Sequence, residues 1–241
     1  MLSLIGIGLW DAEDISLKGL DIVKKADKIY FESYTSKLGC SIKKLERVYG
    51  RKVLVADRNL VEDGKEILKE AEKNDVVLLI MGDVFGATTH MDLFLRAKKK
   101  KIRTAIVNNA SVLTAVGITG LSLYNFGKII SIPFDNKGIK SSYNKFLENK
   151  KNGLHSLFLL DLRVKENNFM SIKEGLNYLI RNGLSKTNLC VGCAGLGSKK
   201  PEIKFGKVKD LLKFKFKKLP QCLIVPGKLQ FYEEEALEFW K

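Results

Sequence analysis

The stretch Val76-Val77-Leu78-Leu79-Ile80-Met81-Gly82-Asp83-Val84-Phe85-Gly86-Ala87-Thr88-Thr89-His90 decides the fold class. Its first six residues are all apolar, too few for a core helix and too continuous for a strand with one wet face. They predict a strand covered on both sides. Gly82, Asp83 and Gly86 break the run, and the helical pattern of Met91 to Lys99 follows. A buried strand that hands over to a helix is the repeating unit of a parallel sheet.

The alternation extends in both directions. Strands are predicted over Leu2 to Gly8, Lys28 to Glu32, Lys52 to Ala56 and Ile102 to Val107, with helices over Leu17 to Ala26, Ile42 to Tyr49, Gly64 to Lys73 and around Val112 to Ile118. The segment Gly120 to Gly127 is rich in turn residues with a glycine at either end. Beyond it, Lys128 to Ile132, Ser156 to Leu160, Leu189 to Ala194, Glu202 to Lys204 and Cys222 to Val225 read as strands, and Ser142 to Asn149 and Ile172 to Asn182 as helices. No full helix separates Leu189 to Ala194 from Glu202 to Lys204, which predicts a mixed sheet in this half. The reading is an α/β protein with an N-terminal domain over 1–123 built on a mostly parallel sheet and a C-terminal domain over 124–241 built on a mixed one.

Composition bounds the function classes. With 241 residues, 45% of them hydrophobic, the chain can bury one large core or two small ones. No apolar run approaches the roughly 18 residues of a membrane span. The first residues lack a basic region ahead of their apolar run, and Asp11, Glu13 and Asp14 follow at once, so a cytoplasmic protein without a signal peptide is expected. The formal net charge is +15. Runs such as Lys98 to Lys101 and Lys213 to Lys218 suit solvated helix ends and loop edges, which can account for the charge by themselves; attraction to an acidic or ribosome-associated partner ranks ahead of a nucleic-acid role, and no stable nucleic-acid partner is expected. Cys190 and Cys193 form a lone C-x-x-C inside a predicted strand, where residues three apart face opposite sides, so buried thiols are expected and no metal site.

In open α/β sheets ligands bind beyond the carboxyl ends of the strands. Three loops qualify. Gly6-Ile7-Gly8-Leu9-Trp10-Asp11 lets the backbone approach a ligand, but Asp11 stands where a dinucleotide fingerprint needs its third glycine. In Gly82 to His90, Asp83 could receive hydrogen bonds from a ribose or an amino group, or form the turn; Thr88 and Thr89 could cap the helix or touch a ligand; His90 could be a satisfied histidine in the first helical turn. In Val107-Asn108-Asn109-Ala110-Ser111-Val112, a helix start offers backbone N–H groups suited to a carboxylate, and Ser111 could simply cap it. No Ser-His-Asp set, P-loop or cluster of metal ligands occurs. The residues by themselves reach an α/β ligand-binding protein.

Taken together, several segments resemble the diphthine synthase branch of the tetrapyrrole methylase superfamily. They are Gly6-Ile7-Gly8-Leu9 with Asp11 to Asp14, Glu32-Ser33-Tyr34-Thr35-Ser36, Gly82 to His90, Asn109-Ala110-Ser111, Tyr124-Asn125-Phe126-Gly127 and Leu159-Leu160-Asp161, all in the branch's order. The likeness runs from Met1 to about Gln230. It implies two α/β domains, a homodimer, and S-adenosyl-L-methionine bound in a cleft between the domains by Leu9, Asp83, Gly86, Ser111, Val112, Leu160, Leu196 and Gln221. It implies methylation of the amine of a modified histidine in translation elongation factor 2. It points to no catalytic residue, although Asp83 or His90 could orient the substrate. The chain departs from the branch at Val84, where proline is frequent, and at Gln221, where histidine is common. A tetrapyrrole or ribosomal RNA methyltransferase of the same superfamily is the alternative, and a basic RNA-binding module without a cofactor is the non-enzymatic one.

Overall fold

The computed structural model describes all residues from Met1 to Lys241. They form two compact units, Met1–Ala115 and Val116–Lys241. The sequence reading set the division near residue 123. The segment just before that point already packs with the second unit, because Gly120 lies against Ala236 and the Ser122 N–H donates to Glu233.

The first unit runs β1 (Leu2–Gly6), α1 (Leu17–Lys25), β2 (Lys28–Glu32), α2 (Ile42–Tyr49), β3 (Leu54–Ala56), α3 (Arg58–Asp63), α4 (Lys65–Ala71), β4 (Val76–Ile80), α5 (Met91–Lys99), β5 (Thr104–Val107) and α6 (Val112–Ala115). Its sheet has the order β3-β2-β4-β1-β5, and every pairing is parallel. The continuous apolar run works as expected. Val76, Leu78 and Ile80 enter a core with Leu2, Leu4, Tyr30, Ile67 and Leu93, while Val77 and Leu79 enter another with Ile5, Ile29, Phe31, Val23 and Leu45. Successive side chains serve opposite faces, as strand geometry requires, at roughly 1.5–3 kcal/mol for each large side chain fully buried.

Local chemistry sets the helix limits. Ser41 accepts from the Lys44 N–H to open α2, and Gly50 closes it with φ 66°. Gly64, expected at the start of one helix, is instead the left-handed joint between α3 and α4, with φ 59°. The helix expected to reach Ile118 ends at Ala115 and tightens into a 3-10 turn over Val116–Thr119.

The second unit runs β6 (Ile130–Ile132), α7 (Ser141–Lys151), β7 (Ser156–Leu160), the short hairpin β8 (Leu162–Arg163) and β9 (Asn168–Phe169), α8 (Ile172–Arg181), β10 (Leu189–Ala194), β11 (Glu202–Lys207), α9 (Val208–Leu211), β12 (Gln221–Val225) and α10 (Phe231–Glu238). The sheet order is β11-β10-β12-β7-β6, with only β6 and β7 parallel. The mixed sheet follows from the short link after β10, which permits only an antiparallel return. Cys190 lies in the core with Leu176, Leu179 and Leu223, while Cys193 faces Cys222 across the ladder. Burial pushes the Cys190 thiol up to about 12, and the hydrogen bond with Cys222 together with burial raises Cys193, so both are packing groups.

The first turn of α10 carries a buried carboxylate that ties it to the rest of the unit. Glu233 accepts from the N–H of Ser122 and of Gln230 at 2.8 Å each, and from His155 Nε2 at 3.0 Å. His155 Nδ1 accepts from the Gly227 N–H, which leaves the ring proton on Nε2, aimed at Glu233. No helix is long and apolar enough to cross a membrane.

Candidate functional site

Strands β4, β1 and β5 are neighbours, so the three loops singled out in the sequence emerge side by side. Gly8 and Gly82 exchange backbone hydrogen bonds, with Gly82 N to Gly8 O at 2.7 Å and Gly8 N to Gly82 O at 3.3 Å. Both have positive φ, 81° and 78°, where a side chain would be strained. Asp83 joins the second loop to the third. Its Oδ1 accepts from the N–H of Phe85 (3.0 Å) and Gly86 (3.2 Å), and its Oδ2 from the N–H of Asn109 (3.1 Å). Asn109 closes the circuit by donating from Nδ2 to the carbonyls of Gly6 and Asp14, both at 3.0 Å.

Ser111 is 7% exposed and caps α6, accepting at Oγ from the Leu113 N–H. A Cβ on Gly86 would fall 2.6 Å from Ser111 Oγ, so glycine is what lets these loops close together. Leu9, Asp83, Gly86, Ser111 and Val112 therefore share one end of the first sheet. In the second unit, Ala194 pairs with Gln221 and Leu159 with Cys222, which sets Leu160, Leu196 and Gln221 along one end of the second sheet. The Gln221 side chain is engaged, its Oε1 accepting from the Ile172 N–H and its Nε2 donating to the Lys218 carbonyl. Leu196 lies between two glycines of positive φ, Gly195 (62°) and Gly197 (88°).

Two of the readings that the sequence leaves open are ruled out. Neither Thr88 nor Thr89 caps α5: Thr88 Oγ1 donates to the Val84 carbonyl, and the N-cap position is His90, whose side chain caps nothing. His90 is not a satisfied histidine, because it is 1% exposed and neither ring nitrogen makes a hydrogen bond. Its nearest acid is Glu32, with Oε2 3.8 Å from Nε2. Sequence reasoning also passed over Asn109 as a tie between loops. Its signal was an asparagine directly after the turn at a strand end, a position where a side-chain amide can bind neighbouring backbone.

The family described as Tetrapyrrole (Corrin/Porphyrin) Methylases matches residues 1–212. A diphthine synthase of Methanocaldococcus jannaschii is 44% identical over 252 residues, covering 99% of this chain and 98% of its own. A diphthine methyl ester synthase of Dictyostelium discoideum is 37% identical, covering 100% and 98%. A crystal structure of a diphthine synthase superposes with a TM-score of 0.94 at 36% identity, covering 99% of this chain and 95% of that one. The chain belongs to the tetrapyrrole methylases and, within them, to the diphthine synthases. It is a methyltransferase.

Proposed function

We propose that this methyltransferase takes methyl groups from S-adenosyl-L-methionine and places them on the amine of the modified histidine of translation elongation factor 2, working as a cytoplasmic homodimer. The observation that carries the reading is the closed circuit of Gly8, Gly82, Asp83 and Asn109, which presents three strand-end loops as one rigid surface in a chain similar along its whole length to diphthine synthases.

The residues fit that cofactor. Asp83 accepts three N–H groups and keeps capacity for one more donor, as a ribose hydroxyl would be. Ser111 Oγ accepts from backbone, which leaves its proton free to donate. On the same strand-end loops Leu9 and Val112 offer apolar side chains and Gly86 offers bare backbone. Leu160, Leu196 and Gln221, the other contacts the resemblance implies, belong to the second unit. The cofactor brings an electrophilic methyl group on a sulfonium. The protein's part is to hold the amine in line with that methyl and to exclude water, which needs no general base when the amine has lost its proton to solvent.

The test is transfer of labelled methyl from S-adenosyl-L-methionine to elongation factor 2 carrying the unmethylated intermediate, run beside ribosomal RNA and a tetrapyrrole. Label on the elongation factor alone supports the reading. Label on RNA or tetrapyrrole alone overturns it in favour of the superfamily's other chemistries.

A further inference from the structure

Two of the segments that carry the resemblance, Glu32 to Ser36 and Ala87 to His90, lie 50 or more residues apart in sequence and meet in the fold. Glu32 ends β2, which flanks β4 on the side opposite β1. The loop from Gly82 to His90 therefore spans two neighbourhoods. Its Asp83 end is tied to the loops after β1 and β5, and its His90 end reaches back to the loop after β2.

That second neighbourhood has a floor of buried polar groups. Glu32 and His90 are each 1% exposed. Glu32 accepts from the N–H of Tyr34, from the N–H of Thr35 at 2.7 Å and from the Thr35 hydroxyl. The Tyr34 ring is tilted against His90 with centroids 6.3 Å apart, and its hydroxyl is buried on the side of Thr89. The Arg58 guanidinium lies over the Tyr34 ring, 5.2 Å from its centroid. Around these buried groups in the chain, Ala87 and Thr89 are exposed and Thr35 and Ser36 partly so, a set of small residues of which three carry hydroxyls. A buried histidine with no hydrogen bond at either nitrogen, only the Glu32 carboxylate and the Val84 backbone nearby, costs stability and calls for a reason to be there.

We infer that Glu32 and His90 are positioning residues that set the pose of a wall, Tyr34–Ser36 and Ala87–Thr89, against which the protein substrate docks beside the cofactor loops. The inference rests on the proposed function. The wall is separate from the cofactor's ties, since Asp83 is held by Asn109 and the Phe85 and Gly86 N–H groups without help from His90.

The experiment uses the full chain, wild type and the variants His90→Leu and Glu32→Gln. It reads thermal stability, cofactor affinity by calorimetry, and KM and kcat for elongation factor 2. For His90→Leu we expect an unchanged or higher Tm, because an apolar group of similar size removes two unpaired nitrogens. Cofactor affinity should stay within about twofold, while KM for the protein substrate rises at least about tenfold, a positioning loss read apart from binding of the small ligand. Glu32→Gln, which keeps an oxygen for the two N–H groups, guards against a folding defect and should raise the same KM. A KM unchanged in both variants, or cofactor affinity lost in step with KM, would overturn the inference. A wild-type chain that transfers nothing to elongation factor 2 would instead bring down the functional reading beneath it.

Discussion

Asp83→Asn changes one atom of the tie that joins two loops. In the native chain Oδ1 serves the Phe85 and Gly86 N–H groups and Oδ2 serves Asn109. The variant's amide oxygen can keep the first pair. Its NH2 then faces the Asn109 N–H, donor against donor, at a part-buried position where the native distance is 3.1 Å. Losing a charge-assisted bond and stranding a donor costs about 1–3 kcal/mol. For a chain of this size each kcal/mol moves Tm by about 2–4 °C, so a drop of a few to about ten degrees is expected. Relief by swinging the Asn109 loop away would also release the Asn109 side chain from Gly6 and Asp14 and spoil the shared surface. Calorimetric titration with S-adenosyl-L-methionine should accordingly show affinity weakened by about tenfold or more, since 1.4 kcal/mol is a factor of ten. If Tm stays within about 1 °C of wild type and affinity is unchanged, the circuit does not hold the site, and the reasoning fails. If affinity alone falls, the site depends on the direct contact of Asp83 with the cofactor and the tie between the loops is dispensable.

Three further outcomes follow from the same geometry. Glu233→Gln leaves one of the buried donors from Ser122, Gln230 or His155 without an acceptor and should cost about 1–3 kcal/mol, read by urea unfolding through Trp240 fluorescence in a Trp10→Phe background; wild-type stability would contradict the assignment. Gly120→Ala sets a Cβ at φ 87° and 2.1 Å from the Ala236 Cβ, so it should lower Tm by several degrees, and the double variant with Ala236→Gly should recover only the steric part. Acid should destabilise the chain in two stages. Burial holds His90 below its ordinary value despite the nearby Glu32 carboxylate, so the folded state binds its proton later than the unfolded state and stability declines as pH falls below about 6.5. For Glu233, burial pushes upward but hydrogen bonds from Gln230, Ser122 and His155 outweigh it and hold the carboxyl low, so its contribution is lost only as pH falls further, through that depressed value. His90→Leu should abolish the first stage in a pH series of melting curves and leave the second.

Much of the fold was legible because its signals are local. The unbroken apolar run of β4 and the small polar breaks after β1, β4 and β5 predicted a parallel sheet with its working loops at one end, and those loops are where the structure ties Gly8, Gly82 and Asp83 together. The elements that were not foreseen lack such signals. Helix α10 has three consecutive glutamates and exposed aromatics in place of an apolar stripe, and its anchors, the buried Glu233 carboxylate, Leu237 and the Ala236 contact with Gly120, are ones that only the tertiary structure reveals. The hairpin of β8 and β9 has two residues in each strand, below the length at which alternation can be read. At the site, Asn109 and the Glu32–His90 pair were hidden for the same reason: their roles depend on partners 26 to 103 residues away.

The most direct test of the central claim is a mass spectrum of the modified-histidine peptide of elongation factor 2, taken after the unmethylated intermediate has been incubated with this protein and S-adenosyl-L-methionine. The account predicts that the peptide gains whole methyl units on its amine, with their number defining the product. An unchanged peptide, from protein shown in the same experiment to bind S-adenosyl-L-methionine, would contradict it.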